Sequence, residues 1–133
     1  MFMNKYLKTL VFLITFNIYA YAEKLECKYI YESITSQIGS SPFKTDSSES
    51  KDKRNLIIDF GDKDVNLIVG NDKSTLFYLS SGSGNSYFFE KTSSGNINLF
   101  SLYKDGTLTI SKSFDVMGKG KMIVESILKC RDI

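Results

Sequence analysis

Residues 97–114 read INLFSLYKDGTLTISKSF, and the fold follows from this stretch. Apolar residues recur at period two on either side of Lys104-Asp105-Gly106. Such alternation suits a strand with one face on a core and the other in water. Asp-Gly supplies the positive φ that a tight hairpin needs, so the two runs are expected to pair antiparallel.

The same grammar repeats outward in both directions. Runs at Arg54–Phe60, Val65–Val69, Ser74–Leu79, Tyr87–Lys91 and Lys121–Cys130 are set off by Gly61-Asp62, Gly70-Asn71-Asp72, Ser81-Gly82-Ser83-Gly84-Asn85, Ser93-Ser94-Gly95-Asn96 and Gly118-Lys119-Gly120. A first run places Leu25, Cys27, Tyr29 and Tyr31 on one face and Glu26, Lys28 and Glu32 on the other. No window of 11 or more residues after Glu23 has helical spacing. Eight strands in short connections predict an all-β, antiparallel up-and-down meander, either a closed or nearly closed barrel or a two-sheet sandwich. Residues 33–53 break the pattern. They are rich in Ser, Lys and Asp, hold the only Pro at Pro42, and are expected to form a long mobile loop outside the core.

The N-terminus bears on the compartment. Lys5 and Lys8 precede an apolar run from Leu10 to Ile18 that ends at Ala20-Tyr21-Ala22. This is the layout of a secretory signal peptide, with cleavage expected after Ala22 and one β-domain over 23–133. A membrane anchor needs about 20 apolar residues, and Asn17, Glu23 and Lys24 stop the run short, so no membrane span is expected after cleavage. Lys24-Leu25-Glu26 ahead of Cys27 lacks the small residues of a lipid-attachment site. A periplasmic or secreted location follows.

Export makes the two cysteines a disulfide candidate, and with Cys27 and Cys130 only one intramolecular pairing exists. Cys130 shares its strand face with Met122, Val124 and Leu128, so both sulfurs are expected on apolar faces. A bridge between first and last strands suits a sheet that closes on itself.

Composition removes several activities. The 133 residues contain no His and no Trp, and loss of Lys5 and Lys8 leaves 15 basic residues against 15 acids. Without His, the commonest general base and metal ligand are absent. A balanced charge gives no electrostatic footprint for nucleic acid. Asp59, Asp62, Asp64 and Asp72 are spaced unlike a calcium loop. The Gly-rich turn lacks the Gly-Lys-Ser/Thr ending of a phosphate cradle. No cofactor, metal or catalytic residue is expected.

Candidate binding residues lie at one turn. Ser83, Gly84, Asn85, Ser86 and Tyr87 combine small polar groups with flanking aromatics, a composition suited to hydrogen bonding around a rigid anchor. Alternate turns of a meander share an end, which is expected to bring the Lys104–Gly106 turn and Tyr103 beside them. In the run Tyr87-Phe88-Phe89, at least one aromatic must face outward.

Two resemblances attach to these residues. Ser94-Gly95-Asn96-Ile97-Asn98, Lys104-Asp105-Gly106, Ser111–Ser113 and Lys129-Cys130 resemble the C-terminal pattern of short exported two-cysteine bacterial proteins of unknown function. That resemblance implies a compartment and a fold class. Met122-Ile123-Val124-Glu125 departs from the pattern. Ser83-Gly84-Asn85-Ser86-Tyr87 is similar to the S-G-x-x-Y loop of periplasmic C-type lysozyme inhibitors, which implies a loop serine that enters the lysozyme cleft. The K-G-x-x-A segment of that family has only a distant counterpart, Lys119-Gly120, followed by Ile123 where Ala is expected. The expectation is a non-enzymatic binding module of the bacterial envelope, with lysozyme inhibition through the Ser83 loop or carriage of a small molecule or lipid as alternatives.

Overall fold

The computed structural model describes residues 24–49, 53–61, 64–93, 95–115 and 120–133. Residues 1–22, where a signal peptide is expected, lie outside the described residues, as do Asp62, Ser94, Gly118, Lys119 and residues 50–52 of the polar stretch. Nine strands follow one another: β1 Lys24–Ile38, β2 Lys44–Glu49, β3 Leu56–Phe60, β4 Val65–Val69, β5 Asp72–Gly82, β6 Asn85–Lys91, β7 Ile97–Leu102, β8 Thr107–Asp115 and β9 Gly120–Asp132. All neighbours run antiparallel. From β3 to β9 each strand pairs with the next, and β9 pairs with β1, which closes an eight-stranded barrel.

The eight sequence-derived runs are the eight barrel strands. Their inward residues alternate with outward ones as the pleat requires. Leu25, Cys27, Leu56, Ile58, Leu67, Leu76, Phe88, Phe100, Leu102, Leu108, Ile110, Leu128 and Cys130 pack in one buried cluster. Such a cluster fills the barrel rather than leaving a hollow for a large ligand. Cys27 stands directly opposite Cys130 across the β1–β9 seam, and the two are joined in a disulfide. Outside the seam, Arg131 Nη2 donates to Glu26 Oε1 at 2.7 Å, and Asn55 Nδ2 donates to the other carboxylate oxygen. Those bonds hold the Glu26 carboxyl below its ordinary pKa, Asn55 contributing most and Arg131 next.

Two expectations need correction. Residues 33–53 are not one loop: 33–38 continue β1, and 44–49 form β2, which pairs with β1 from Tyr31↔Glu49 to Ser36↔Lys44. Every β2 residue is exposed. With nothing to bury, its sequence carries no apolar period, so the hairpin is held by backbone pairing and contacts such as Thr35 Oγ1 to Thr45 Oγ1 at 2.9 Å. β2 also leaves an open edge guarded by Lys44, Asp46 and Glu49, which discourages pairing with another chain.

The second correction concerns Tyr31 and Glu32. The β1–β9 register shifts between Tyr29 and Tyr31, so one extra residue bulges from β1. The shift reverses the faces beyond it. Tyr31 turns outward, and Glu32 turns inward opposite Ser126, with its side chain only 12% exposed. There it accepts hydrogen bonds from Lys53 Nζ at 2.6 Å and Ser126 Oγ at 3.2 Å.

Candidate functional site

β5 and β6 form the hairpin that carries the sequence candidates. Gly82 pairs with Asn85, which leaves a two-residue connection at Ser83-Gly84. Both residues have positive φ, 55° and 82°, the signature of a type I′ turn whose twist matches the flanking strands. The Ser83 turn is therefore a tight hairpin end, with Ser83 and Gly84 exposed.

The neighbouring turn does lie against it. Asn85 Oδ1 accepts a hydrogen bond from the Lys104 backbone N–H at 3.2 Å, and the Lys104 stem covers Gly84. Asn85, Tyr103, Lys104, Asp105 and Thr107 line one open depression at this end. Asp105 is held by the Thr107 N–H at 2.9 Å, and that bond lowers its carboxyl pKa. The structure thus brings Tyr103 beside Asn85 and Lys104 against Gly84, with Ser83 at the tip outside the depression. Ser86 and Tyr87 lead away up the strand.

Tyr87 belongs to a different surface. Phe88 points into the core, whereas Phe89 is stacked on Phe77 outside, with ring centroids 5.1 Å apart. Phe77, Phe89 and Leu99 stand opposite one another across β5, β6 and β7. Phe77 and Leu99 are each 48% exposed, and Ile97, two residues along the same face as Leu99, is more open still. Tyr87 extends this wall toward the Ser83 turn. A second β-bulge, between Tyr78 and Ser80, leaves Leu79 exposed on the same strand. The outward aromatic expected at 87–89 is therefore part of an apolar wall. Sequence reasoning missed its other half, although Ile97-Asn98-Leu99-Phe100 carried the signal: apolar residues at both parities cannot all face one core.

At the opposite end the barrel is less completely filled. A cavity of about 200 Å³ opens between Tyr29, Leu56, Leu67, Val69, Phe100 and Ile110, with Lys53, Arg54 and Lys112 around it. Lys53 is committed to Glu32 and also lies 5.2 Å from the Tyr29 ring centroid. Burial raises the Tyr29 phenol pKa, and the Glu32 charge adds to the effect. On the same inner side, Glu90 accepts from Ser74 Oγ and from Asn98 Nδ2. No protein-family model, curated protein or solved structure matches this chain.

Proposed function

We propose that the protein is an exported, non-enzymatic binding module of the bacterial envelope, and that it engages a protein partner through the outer wall of β5–β7. The observation that carries this reading is the Phe77–Phe89–Leu99 row, with Phe77, Leu99 and the neighbouring Ile97 exposed and Phe89 and Tyr87 half-buried, on the outside of a barrel whose inward residues form their own buried cluster. Contiguous exposed apolar surface of this kind marks interaction sites on small domains, and rigid aromatics supply large contact area at low entropic cost. The signal segment and the disulfide support export.

The lysozyme-inhibitor reading is a narrower form of the same proposal. Ser83 and Gly84 stand exposed at the tip of the hairpin that carries Phe77, Tyr87 and Phe89, so a cleft-binding partner would meet both features together. Carriage of a lipid is the weaker reading, because the packed core leaves a cavity smaller than the roughly 300–1,000 Å³ of drug-sized ligand sites.

Site-specific photo-crosslinking in the exporting cell tests the proposal. Probes at Phe77 and Leu99 should give a discrete heterologous adduct, while probes at Lys28 and Lys129 on the far wall give none. Purified C-type lysozyme, offered to the protein and to a Ser83→Ala, Tyr87→Ala variant, tests the narrower form. Equal adduct yields from both walls, or no adduct from the apolar wall, would remove the reading.

A further inference from the structure

The cavity at the β1–β2 end of the barrel joins an apolar interior to a cationic rim. Tyr29, Leu56, Leu67, Val69, Phe100 and Ile110 line its interior, and Lys53, Arg54 and Lys112 complete it. Lys53 is neutralised by Glu32 at 2.6 Å. Arg54 and Lys112 have no carboxylate partner among the described residues, and both line the cavity. The Arg54 guanidinium lies over Gly70 in the β4–β5 turn: a Cβ at Gly70 would come 2.1 Å from Arg54 Nη1. Absence of a side chain there is what lets the guanidinium occupy the rim.

Lys112 reaches the same place from β8. It continues the inward series Leu108, Ile110, Lys112 and stands opposite Asn98. Asn98 is 5% exposed, its Nδ2 is committed to Glu90, and its Oδ1 has no hydrogen-bond partner. That oxygen is an acceptor and can be met only by a donor, and Asn98 does not line the cavity, so it offers nothing to an anionic head. The charged side chains that line the mouth are Lys53, Arg54 and Lys112, and of these only Lys53 is paired with a carboxylate among the described residues.

We propose that this mouth binds a small amphiphilic monoanion, a carboxylate with a short apolar tail, whose head is held by Arg54 and Lys112 and whose tail lies on Leu67, Val69, Phe100 and Ile110. Size excludes long chains, since about 200 Å³ falls below the range of drug-sized sites. Arg54 and Lys112 set the sign of the head, and the apolar floor leaves no place for a second charge on the tail. Arg and Lys recognise carboxylates through charge-assisted hydrogen bonds, which strengthen where the surroundings are apolar. The proposal is independent of the β5–β7 wall, which belongs to the outer surface of the barrel.

The test is a titration of the oxidised exported protein with hexanoate, hexanol, hexylammonium and adipate, followed by amide chemical shifts. Hexanoate should give saturable shifts at Val69, Phe100 and Ile110. Hexanol and hexylammonium lack the negative head, and adipate forces a second charge onto the apolar floor, so each should bind about tenfold more weakly or not at all. Arg54→Gln and Lys112→Gln should each weaken hexanoate about tenfold with the thermal midpoint unchanged. No saturable shift, hexanol as tight as hexanoate, or wild-type affinity in both folded variants would overturn the proposal. The ligand series on the wild-type protein decides the matter even if a variant fails to fold.

Discussion

Gly106 has φ 91°, and a methyl group there would lie 2.9 Å from the Cys130 carbonyl oxygen. Its own carbonyl accepts from the Cys130 N–H at 2.8 Å, so the turn is fastened to the disulfide strand and has little room to yield. Gly106→Ala should therefore cost about 2 kcal/mol or more, against about 1 kcal/mol for Gly39→Ala, where φ is also positive but the space is open. Urea unfolding of the two variants checks the order; equal costs would mean that the Cys130 contact is not held. Tyr29 gives a pH prediction. Burial, and then the Glu32 charge, raise its phenol above the ordinary value of 10.0, so the fold favours the neutral form. The stabilisation is complete below about pH 10 and is lost as pH rises through the raised value. From pH 8 to pH 11 the thermal midpoint of wild type should fall relative to that of Tyr29→Phe, and a constant difference would contradict this assignment. The two residues differ in how far they could be read beforehand. Asp105-Gly106 announces its turn, because positive φ has a residue signature. Period-two alternation puts Tyr31 and Glu32 on the wrong faces, because a one-residue bulge leaves no composition signal and reverses every parity beyond it.

At the scale of elements, β2 is a strand made by pairing alone. KTDSSE contains no apolar residue and buries none, so periodicity cannot reveal it; its partner β1 becomes visible only where it has a core to face. Thr45→Pro removes a backbone donor and the Thr35 contact from this edge. Hydrogen exchange should then lose protection at 44–49 and at those amides of 31–36 that face β2, while the β1 amides that face β9, and Ile58, Phe100 and Leu108, keep theirs, because β2 pairs only with residues 31–36 and none of these is in the buried cluster. Loss of protection throughout would make the hairpin part of the folding unit. The β5–β7 wall predicts the converse of a core. Phe77→Ser with Leu99→Ser should cost no more than about 2 kcal/mol, the scale of the two cross-strand pairs with Phe89 that are lost, yet abolish the crosslinked adduct. A loss of several kcal/mol in chemical unfolding would assign the row to internal packing. The wall was half legible: Tyr87-Phe88-Phe89 forces an outward aromatic, but its alignment with Phe77 and Leu99 depends on strand register, which only pairing sets.

Over the whole molecule, inside and outside are defined by closure at β1–β9. This seam turns Phe88 and Phe100 into core, Phe77 and Leu99 into surface, and the opposite barrel ends into the Asn85–Tyr103 depression and the Arg54–Lys112 mouth. The closed barrel could be read from the sequence because eight alternating runs and two cysteines of matched parity all point the same way. The two proposed binding surfaces could not, since neither the apolar wall nor the cationic mouth is contiguous in the chain. Cys27 and Cys130 are 103 residues apart, so the bridge should contribute about 4–5 kcal/mol by restricting the unfolded chain. Cys27→Ser with Cys130→Ser should lower the urea midpoint accordingly; an unchanged midpoint would show that β1 and β9 are held without the bridge. The most direct test of closure is peptide mapping of the exported protein by mass spectrometry without reduction. The account predicts an N-terminus at Glu23 and one linked species containing Cys27 and Cys130 from the same chain. Free thiols on the folded protein, or a bridge between chains, would contradict it.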